Sequence, residues 1–148
     1  MKAIIAEWYG MPDVLEFKEA AKPTSKDNEV LVKVYAAALN MFDWHLLTAD
    51  IFLVRLNAGL FKPKYRIPGA DVAGRVEAVG KDVTQFKVGD EVYGDLAASG
   101  CGSFAEYVAV PEKALALKPV NLMFEEAAAF PMAAVTALQG LRDAGKIQ

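Results

Sequence analysis

The stretch that decides the fold is Pro68-Gly69-Ala70-Asp71-Val72-Ala73-Gly74-Arg75-Val76-Glu77-Ala78-Val79-Gly80, followed by Val88-Gly89-Asp90-Glu91-Val92-Tyr93-Gly94. Short apolar segments alternate here with glycines, which allow tight bends because they carry no Cβ. A backbone that must turn sharply at close intervals is typical of a small, strongly curved barrel of β-strands. The stretch therefore predicts a mainly β core.

Length and composition are those of a single globular domain. The chain has 148 residues, of which 54% are hydrophobic, and its net charge is −3. This weak negative balance predicts neither nucleic acid nor a membrane as partner. A single cysteine, Cys101, favours a reducing compartment. Glu7 interrupts the apolar start that a signal peptide would need, so we expect a cytoplasmic location.

The first third of the chain predicts three strands and a helix. Residues 2–8 and 14–18 read as short strands around a turn at Gly10-Met11-Pro12. Residues 29–38 alternate apolar with polar side chains, which indicates a half-buried strand. Asn40 then occupies the position of a helix N-cap, and apolar residues follow it at helical spacing: Met41, Trp44 and Leu47.

Residues 51–66 leave two interpretations open. Four apolar residues predict one face of a short helix: Ile51, Leu53, Val54 and Leu56. Four basic residues supply positive charge: Arg55, Lys62, Lys64 and Arg66. We favour a helical excursion with a solvated basic edge over a membrane or anion role. The other interpretation is a lid over a substrate pocket.

The last third of the chain predicts two strands and then helix. Residues 104–110 and 114–117 read as strands. Residues 124–141 are helical in pattern, with Glu125 and Glu126 in the first turn, where the helix dipole favours acidic side chains. Pro131 must break this segment into a short helix and a longer one.

The glycine-punctuated stretch resembles the GroES-like catalytic domain of the medium-chain dehydrogenase/reductase family, and the resemblance covers essentially the whole chain. It implies a mainly β fold with α-helices: a partly open GroES-like barrel with peripheral helices. Residues 1–120 would form that domain. Residues 121–148 would be a helical connection to a nucleotide-binding domain beyond Gln148. The resemblance thus implies a fragment of a longer enzyme, inactive alone.

The resemblance also argues against zinc. In zinc-dependent members a cysteine and a histidine-glutamate pair help to hold the metal, and the matching positions here carry Asn40, Ala70 and Asp71. Asparagine and alanine do not replace a thiolate and an imidazole as ligands. Asn40-Met41-Phe42-Asp43-Trp44 instead resembles the N-x-x-D-W/T motif of the zinc-independent quinone oxidoreductase branch. This branch implies NADPH-dependent hydride transfer to a quinone or conjugated enone.

Three catalytic candidates follow from the same resemblance. Asn40 is expected to donate a hydrogen bond to the substrate or the nicotinamide, and also to cap its helix. Asp43 either orients Asn40 or completes the helix cap. His45, the only histidine, either relays a proton or is an exposed side chain without a special role.

Cofactor and substrate contacts are expected at three more residues. Thr136 matches a position near the nicotinamide, although a mid-helix threonine can also bond its own backbone. Trp44 and Phe130 are candidates for the substrate pocket. The remaining NADPH contacts would belong to the following domain, so we expect the 148 residues to bind NADPH poorly.

Two further expectations concern alternatives and association. Residues 100–105 satisfy the pattern G-x-G-x-x-[GA], but they precede an expected strand rather than a helix, so we interpret them as a barrel corner. The enzyme class stays open between a quinone or enone reductase and a zinc-free alcohol dehydrogenase or enoyl reductase. A non-enzymatic binding module is the third possibility. Apolar residues along 124–141 predict self-association.

Overall fold

The computed structural model describes residues 1–147. The chain begins with a two-stranded antiparallel sheet of β1 (Lys2–Ala6) and β2 (Leu15–Glu19). A short 3-10 turn at Pro12–Val14 joins the two strands, where the Gly10-Met11-Pro12 turn was expected. The strands therefore lie close to their predicted positions, although β1 ends at Ala6 rather than at residue 8.

A five-stranded antiparallel sheet forms the centre of the molecule. Its strand order is β6-β3-β4-β5-β7. The strands are β3 (Glu29–Ala38), β4 (Asp71–Val79), β5 (Glu91–Asp95), β6 (Tyr107–Pro111) and β7 (Ala116–Leu117). The two sheets do not close into one barrel, so the mainly β core predicted from the glycine spacing and the partly open architecture implied by the resemblance are both confirmed.

Alternation along β3 and β4 builds the core. Val30 and Val32 are fully buried in β3, whereas Lys33 and Tyr35 are exposed, as the period-two pattern predicts. Register shifts in the β3–β4 pair bend this part of the sheet. The core gathers ten buried apolar side chains: Val30, Val32, Val72, Val76, Phe86, Val92, Leu96, Val108, Val110 and Leu115.

Two predicted strands are shorter in the structure. The strand expected over 104–110 begins only at Tyr107, because the Phe104 N–H donates to Pro68 and Ala105 makes an isolated bridge to Ala3. The strand expected over 114–117 is limited to Ala116–Leu117, because a 3-10 turn occupies Glu112–Ala114. Both predictions were wrong at the N-terminal end of the strand.

Two short helices connect β3 to β4. They are α1 (Met41–Thr48) and α2 (Phe52–Ala58). The apolar face expected for α2 was wrong, since only one of its four predicted residues, Val54, packs against buried side chains. Ala58 is the buried residue of this helix, while Leu53 and Leu56 are exposed.

The helical segment predicted over residues 124–141 is interrupted before Pro131, as expected from the sequence. It consists of α3 (Phe124–Ala128), α4 (Pro131–Leu138) and a wide π-type turn at Gln139–Ala144. The Glu126 carboxylate accepts the Met123 N–H at 2.8 Å, which satisfies the first turn of α3. No helix within residues 1–147 is long and apolar enough to cross a membrane.

Candidate functional site

The N-terminus of α1 is fixed by a buried carboxylate. Asn40 lies at the N-cap in extended conformation, and its backbone N–H donates to Asp43 Oδ2 at 2.9 Å. Asp43 Oδ1 accepts the Ala70 N–H at 3.1 Å, so this side chain also joins the helix to the loop before β4. Burial raises the pKa of Asp43, and hydrogen bonds from backbone N–H groups oppose that shift. Both expected roles of Asp43, orienting Asn40 and capping the helix, are compatible with this geometry.

One face of α1 lines a cavity of about 470 Å³, called here the Asn40 cavity. Helical spacing places Asn40, Asp43, Trp44 and Leu47 on this face. The remaining walls are mainly apolar and come from the turn before β2 and its first residue, the start of α1, and the segments before α1, β4 and β6: Pro12, Leu15, Met41, Leu39, Pro68 and Phe104. A largely apolar cavity with one carboxamide suits a small, flat, uncharged ligand.

The Asn40 side chain is held from the opposite strand. Its Nδ2 donates to Asp71 Oδ2 at 2.9 Å. The Asp71 carboxylate also accepts the Met132 N–H at the start of α4, at 3.2 Å to Oδ1 and 3.4 Å to Oδ2. Asp71 is fully buried, and desolvation raises its pKa from 3.8 to about 6. The sequence marks this residue only as a matched zinc-ligand position, and its bridging contacts were not predicted.

The buried Asp71 carboxyl predicts a pH-dependent stability. Because its folded-state pKa is raised, its contribution to stability is fully present below the unfolded value of 3.8 and is lost as pH rises through about 6. Relative to Asp71→Asn, the wild-type free energy of unfolding should fall by about 2 kcal/mol between about pH 4 and about pH 7. Urea denaturation of both proteins at several pH values in this range measures the difference in the free energy of unfolding. A difference independent of pH would contradict the expectation, and Asp13→Asn makes the same substitution at an exposed control site.

The other predicted catalytic residue, His45, lies away from this network. Its Nδ1 lies 2.9 Å from Asp50 Oδ1, at the surface, and His45 is not among the residues that line the Asn40 cavity. The hydrogen bond from His45 lowers the pKa of Asp50. The geometry pairs His45 with Asp50 rather than with Asn40.

The structure distributes the predicted cofactor and substrate residues over different surfaces. Thr136 is exposed on α4, one helical turn after Met132. Phe130 lines a separate cavity of about 340 Å³ together with Pro131 and Val135. Trp44 lines the Asn40 cavity, so the two aromatic candidates do not share one pocket.

A further cavity of about 490 Å³, called here the α2 cavity, lies on the other side of α1. Phe42 and Leu46 line it, and Leu53, Val54 and Cys101 complete part of its wall. Burial, together with the charges of nearby carboxylates, raises the pKa of Cys101 to about 12. The thiol therefore stays protonated at neutral pH and is a poor nucleophile.

The glycine-rich segment 100–105 turns the chain before a strand. Gly100, Cys101 and Gly102 all have positive φ, at 104°, 62° and 115°. The segment leads towards β6, and no helix N-terminus follows it to receive a pyrophosphate. Its geometry is that of a corner, as the sequence interpretation expected.

The donor set at the matched zinc positions does not fit a catalytic metal. Ala70 has no side-chain ligand, and the Asp71 oxygens accept hydrogen bonds from Asn40 and Met132. Across residues 1–147 no group of three His, Cys, Asp or Glu side chains is placed to hold a metal ion.

Comparison with known proteins places this geometry in a family. The model of the alcohol dehydrogenase GroES-like domain matches residues 26–120. The 2-methylene-furan-3-one reductase of Solanum lycopersicum is 45% identical over 156 residues, covering 98% of this chain and 38% of the relative. The chloroplastic NADPH-dependent alkenal/one oxidoreductase of Arabidopsis thaliana is 42% identical over 152 residues, covering 95% of this chain and 37% of the relative.

A solved structure agrees with these relatives. The quinone oxidoreductase from Coxiella burnetii superposes with a TM-score of 0.85 at 33% identity, covering 98% of this chain and 45% of that one. The chain thus spans less than half the length of the proteins it matches. The resemblance of the glycine-punctuated stretch to the GroES-like domain is confirmed, and this chain belongs to the alcohol dehydrogenase GroES-like domain family.

Proposed function

We propose that the chain carries the acceptor-binding part of an NADPH-dependent reductase of quinones or conjugated enones, working by hydride transfer without zinc. The observation that carries the proposal is the Asn40 carboxamide in the wall of an apolar cavity, tied to Asp71 where relatives with zinc would hold the metal. Two relatives whose names describe reduction of a methylene-furanone and of alkenals and enones support the acceptor class.

The carboxamide is suited to a conjugated acceptor. A quinone or enone delocalises the negative charge that develops during reduction, so one hydrogen-bond donor can stabilise its oxygen. Asn40 Nδ2 carries two hydrogens and donates one of them to Asp71. The second N–H is therefore available to the acceptor oxygen. Trp44 supplies a flat apolar wall in the same cavity.

The residues described fit only the nicotinamide end of the cofactor. Asn40 and Thr136 are the candidates to hold that ring, since Asp71 links the cap of α1 to the start of the helix that carries Thr136. The pyrophosphate has no helix N-terminus in the glycine segment 100–105. When bound, NADPH would supply the hydride. The 148-residue chain alone is expected to bind NADPH poorly and to be inactive.

NADPH oxidation by the full-length protein tests the proposal. We expect turnover with quinones, enones and alkenals, and little turnover with simple ketones or saturated aldehydes, which lack the delocalising conjugation. Efficient turnover of saturated carbonyls would favour a zinc-free alcohol dehydrogenase instead. No oxidation with any acceptor would favour a binding module. Calorimetry of NADPH binding to residues 1–148 is a second test. A micromolar dissociation constant would contradict the expectation that this chain alone binds NADPH poorly.

Two variants locate the acceptor. Trp44→Ala removes a wall of the Asn40 cavity and should raise KM for the acceptor about tenfold. Leu53→Ala is the matched control, because Leu53 is exposed and lines the α2 cavity instead. The reverse result, with KM raised only by Leu53→Ala, would move the acceptor to the α2 cavity and overturn this placement.

The proposal predicts that the purified protein carries no stoichiometric zinc. The reason is the donor set, in which Ala70 offers no ligand atom and Asn40 donates to Asp71. Elemental analysis of protein prepared without a histidine tag measures the metal content. One zinc per chain would overturn the zinc-free assignment, and a zinc-dependent alcohol dehydrogenase of the same family serves as positive control.

We also propose self-association of the 148-residue chain through α4 and the turn after it. Val135 and Leu138 are 49% exposed and Leu141 is 57% exposed, which leaves an apolar face on this segment. A second copy is the proposed occupant of this face. Light scattering should detect a dimer or larger species that Leu138→Lys reduces to monomer, whereas Val120→Lys, at an exposed site outside the helix, should not. A monomeric wild type would contradict the proposal.

A cytoplasmic location remains part of the proposal. The lone cysteine supports a reducing compartment, and a relative named as chloroplastic points to one alternative location. Small molecules, rather than nucleic acid or membrane, are the proposed partners besides a second copy.

A further inference from the structure

The Asp71 carboxylate, at the first position of β4, is a buried acidic group. Its side chain is fully buried, and within residues 1–147 it accepts hydrogen bonds from the Asn40 carboxamide and from the Met132 N–H. These partners lie 31 and 61 residues away in the chain. One carboxylate therefore joins three elements: β4, the cap of α1 and the start of α4.

The packing of β4 does not by itself require a charged side chain at this position. Asp71 is followed by Val72 and Ala73, which are fully buried, so an apolar side chain would suit the strand equally well. The charged groups that act on Asp71 are Asp95 of β5 and Asp43 of α1, and both are acidic. A buried carboxylate facing two other carboxylates costs stability. The hydrogen bonds from Asn40 and Met132 offset part of this cost, and they also fix the positions of the two donors.

We infer that Asp71 is a positioning residue that fixes the orientation of the Asn40 carboxamide and couples it to the start of α4. An asparagine side chain can present either its oxygen or its nitrogen to a given partner. A carboxylate accepts only from the nitrogen, so Asp71 sets which end of Asn40 it binds. The second N–H hydrogen and Oδ1 are then left for a ligand in the Asn40 cavity.

The bond to Met132 extends this effect to α4. Thr136 lies one helical turn after Met132, so the carboxylate that orients Asn40 also ties down the helix that carries the second candidate for nicotinamide contact. This step rests on the proposed function. The orientation of Asn40 itself does not, because it concerns only side chains of this chain.

NMR of the 148-residue chain tests the orientation without requiring activity. The side-chain amide of Asn40 should give two separated N–H signals whose positions shift with a midpoint near pH 6, where Asp71 ionises. In Asp71→Asn this transition should disappear, and hydrogen exchange of the Asn40 amide should accelerate about tenfold. Asp13→Asn is the matched control and should keep both features.

Two outcomes would overturn the inference. One is a wild type whose Asn40 amide has no transition near pH 6, a measurement that needs no variant and stands even where Asp71→Asn fails to fold. The other is a transition that persists in a folded Asp71→Asn variant.

Kinetics of the full-length protein separate this inference from the proposed function. Asp71→Asn should lower kcat about 10- to 100-fold with little change in KM for NADPH, because a misplaced donor stabilises the transition state poorly. An unchanged kcat would overturn the role of Asp71 in positioning for catalysis. If the wild type has no reductase activity while the NMR result holds, the proposed function fails and the orientation by Asp71 stands.

Discussion

Gly74→Ala is expected to destabilise the protein by about 3 kcal/mol or more. Gly74 lies in β4, the middle strand of the five, where it pairs with Val34 of β3 and Val92 of β5. A Cβ at this position would fall against the Lys33 carbonyl oxygen and lie 2.8 Å from Val32 Cγ1. Backbone on a neighbouring central strand has little freedom to move away, so the strands must separate.

Denaturant unfolding of the two variants Gly74→Ala and Gly140→Ala measures this effect. Gly140 has no neighbouring atom within 4 Å of an added Cβ, and its φ is not positive. Alanine there should be neutral or slightly stabilising because it restricts the unfolded chain. Equal unfolding free energies for the two variants would contradict the close approach of β3 and β4 at Gly74.

Asp43→Ala is expected to cost about 3 kcal/mol. The substitution removes the acceptor for the backbone N–H groups of Asn40 and Ala70. Ala70 is fully buried, so its N–H loses its acceptor in the interior, and the bond from Asp43 to the Asn40 N–H in the capping box of α1 is lost as well. Relief of the desolvation of Asp43 offsets part of this cost.

Thermal and urea unfolding measure the loss of stability in Asp43→Ala, and two further variants serve as comparisons. Asp43→Asn keeps one acceptor oxygen and should fall between wild type and alanine. Asp13→Ala removes an exposed carboxylate and should change stability by less than about 0.5 kcal/mol. A loss below about 1 kcal/mol for Asp43→Ala would argue that water or a shifted backbone satisfies both donors.

Local signals explain what the sequence could predict. The alternation over residues 29–38, the N-cap position of Asn40 and the break at Pro131 are each determined by neighbouring residues, and all three are present in the structure. The start of β6 was missed because a distant partner sets it, and the start of β7 because a turn occupies the residues before it. Phe104 donates to Pro68, and a 3-10 turn occupies Glu112–Ala114.

The candidate site was predictable only in part for the same reason. Asn40 and Asp43 lie three residues apart on one helix, so their association follows from helical spacing. The link from Asn40 through Asp71 to Met132 spans three elements and depends on how the sheet and α4 pack. The signals at Asp71 were its match to a zinc-ligand position and its place before the apolar run Val72-Ala73, and neither predicts these contacts. The separation of Trp44 from Phe130 has no local signal at all.

The contact between α3 and the sheet combines buried alanines with an aromatic pair. Ala127 and Ala128 are buried against Ala73 of β4, and Phe124 stacks on Tyr35 with ring centroids 4.6 Å apart. Alanines have no rotamers with which to accommodate sliding, so α3 and the sheet form one stiff body. Pro131 has no N–H, so the main chain between α3 and α4 is less tightly bonded. We therefore expect any bending of α4 relative to the sheet to occur just before Pro131, where it would stretch the hydrogen bond from the Met132 N–H to Asp71 of β4.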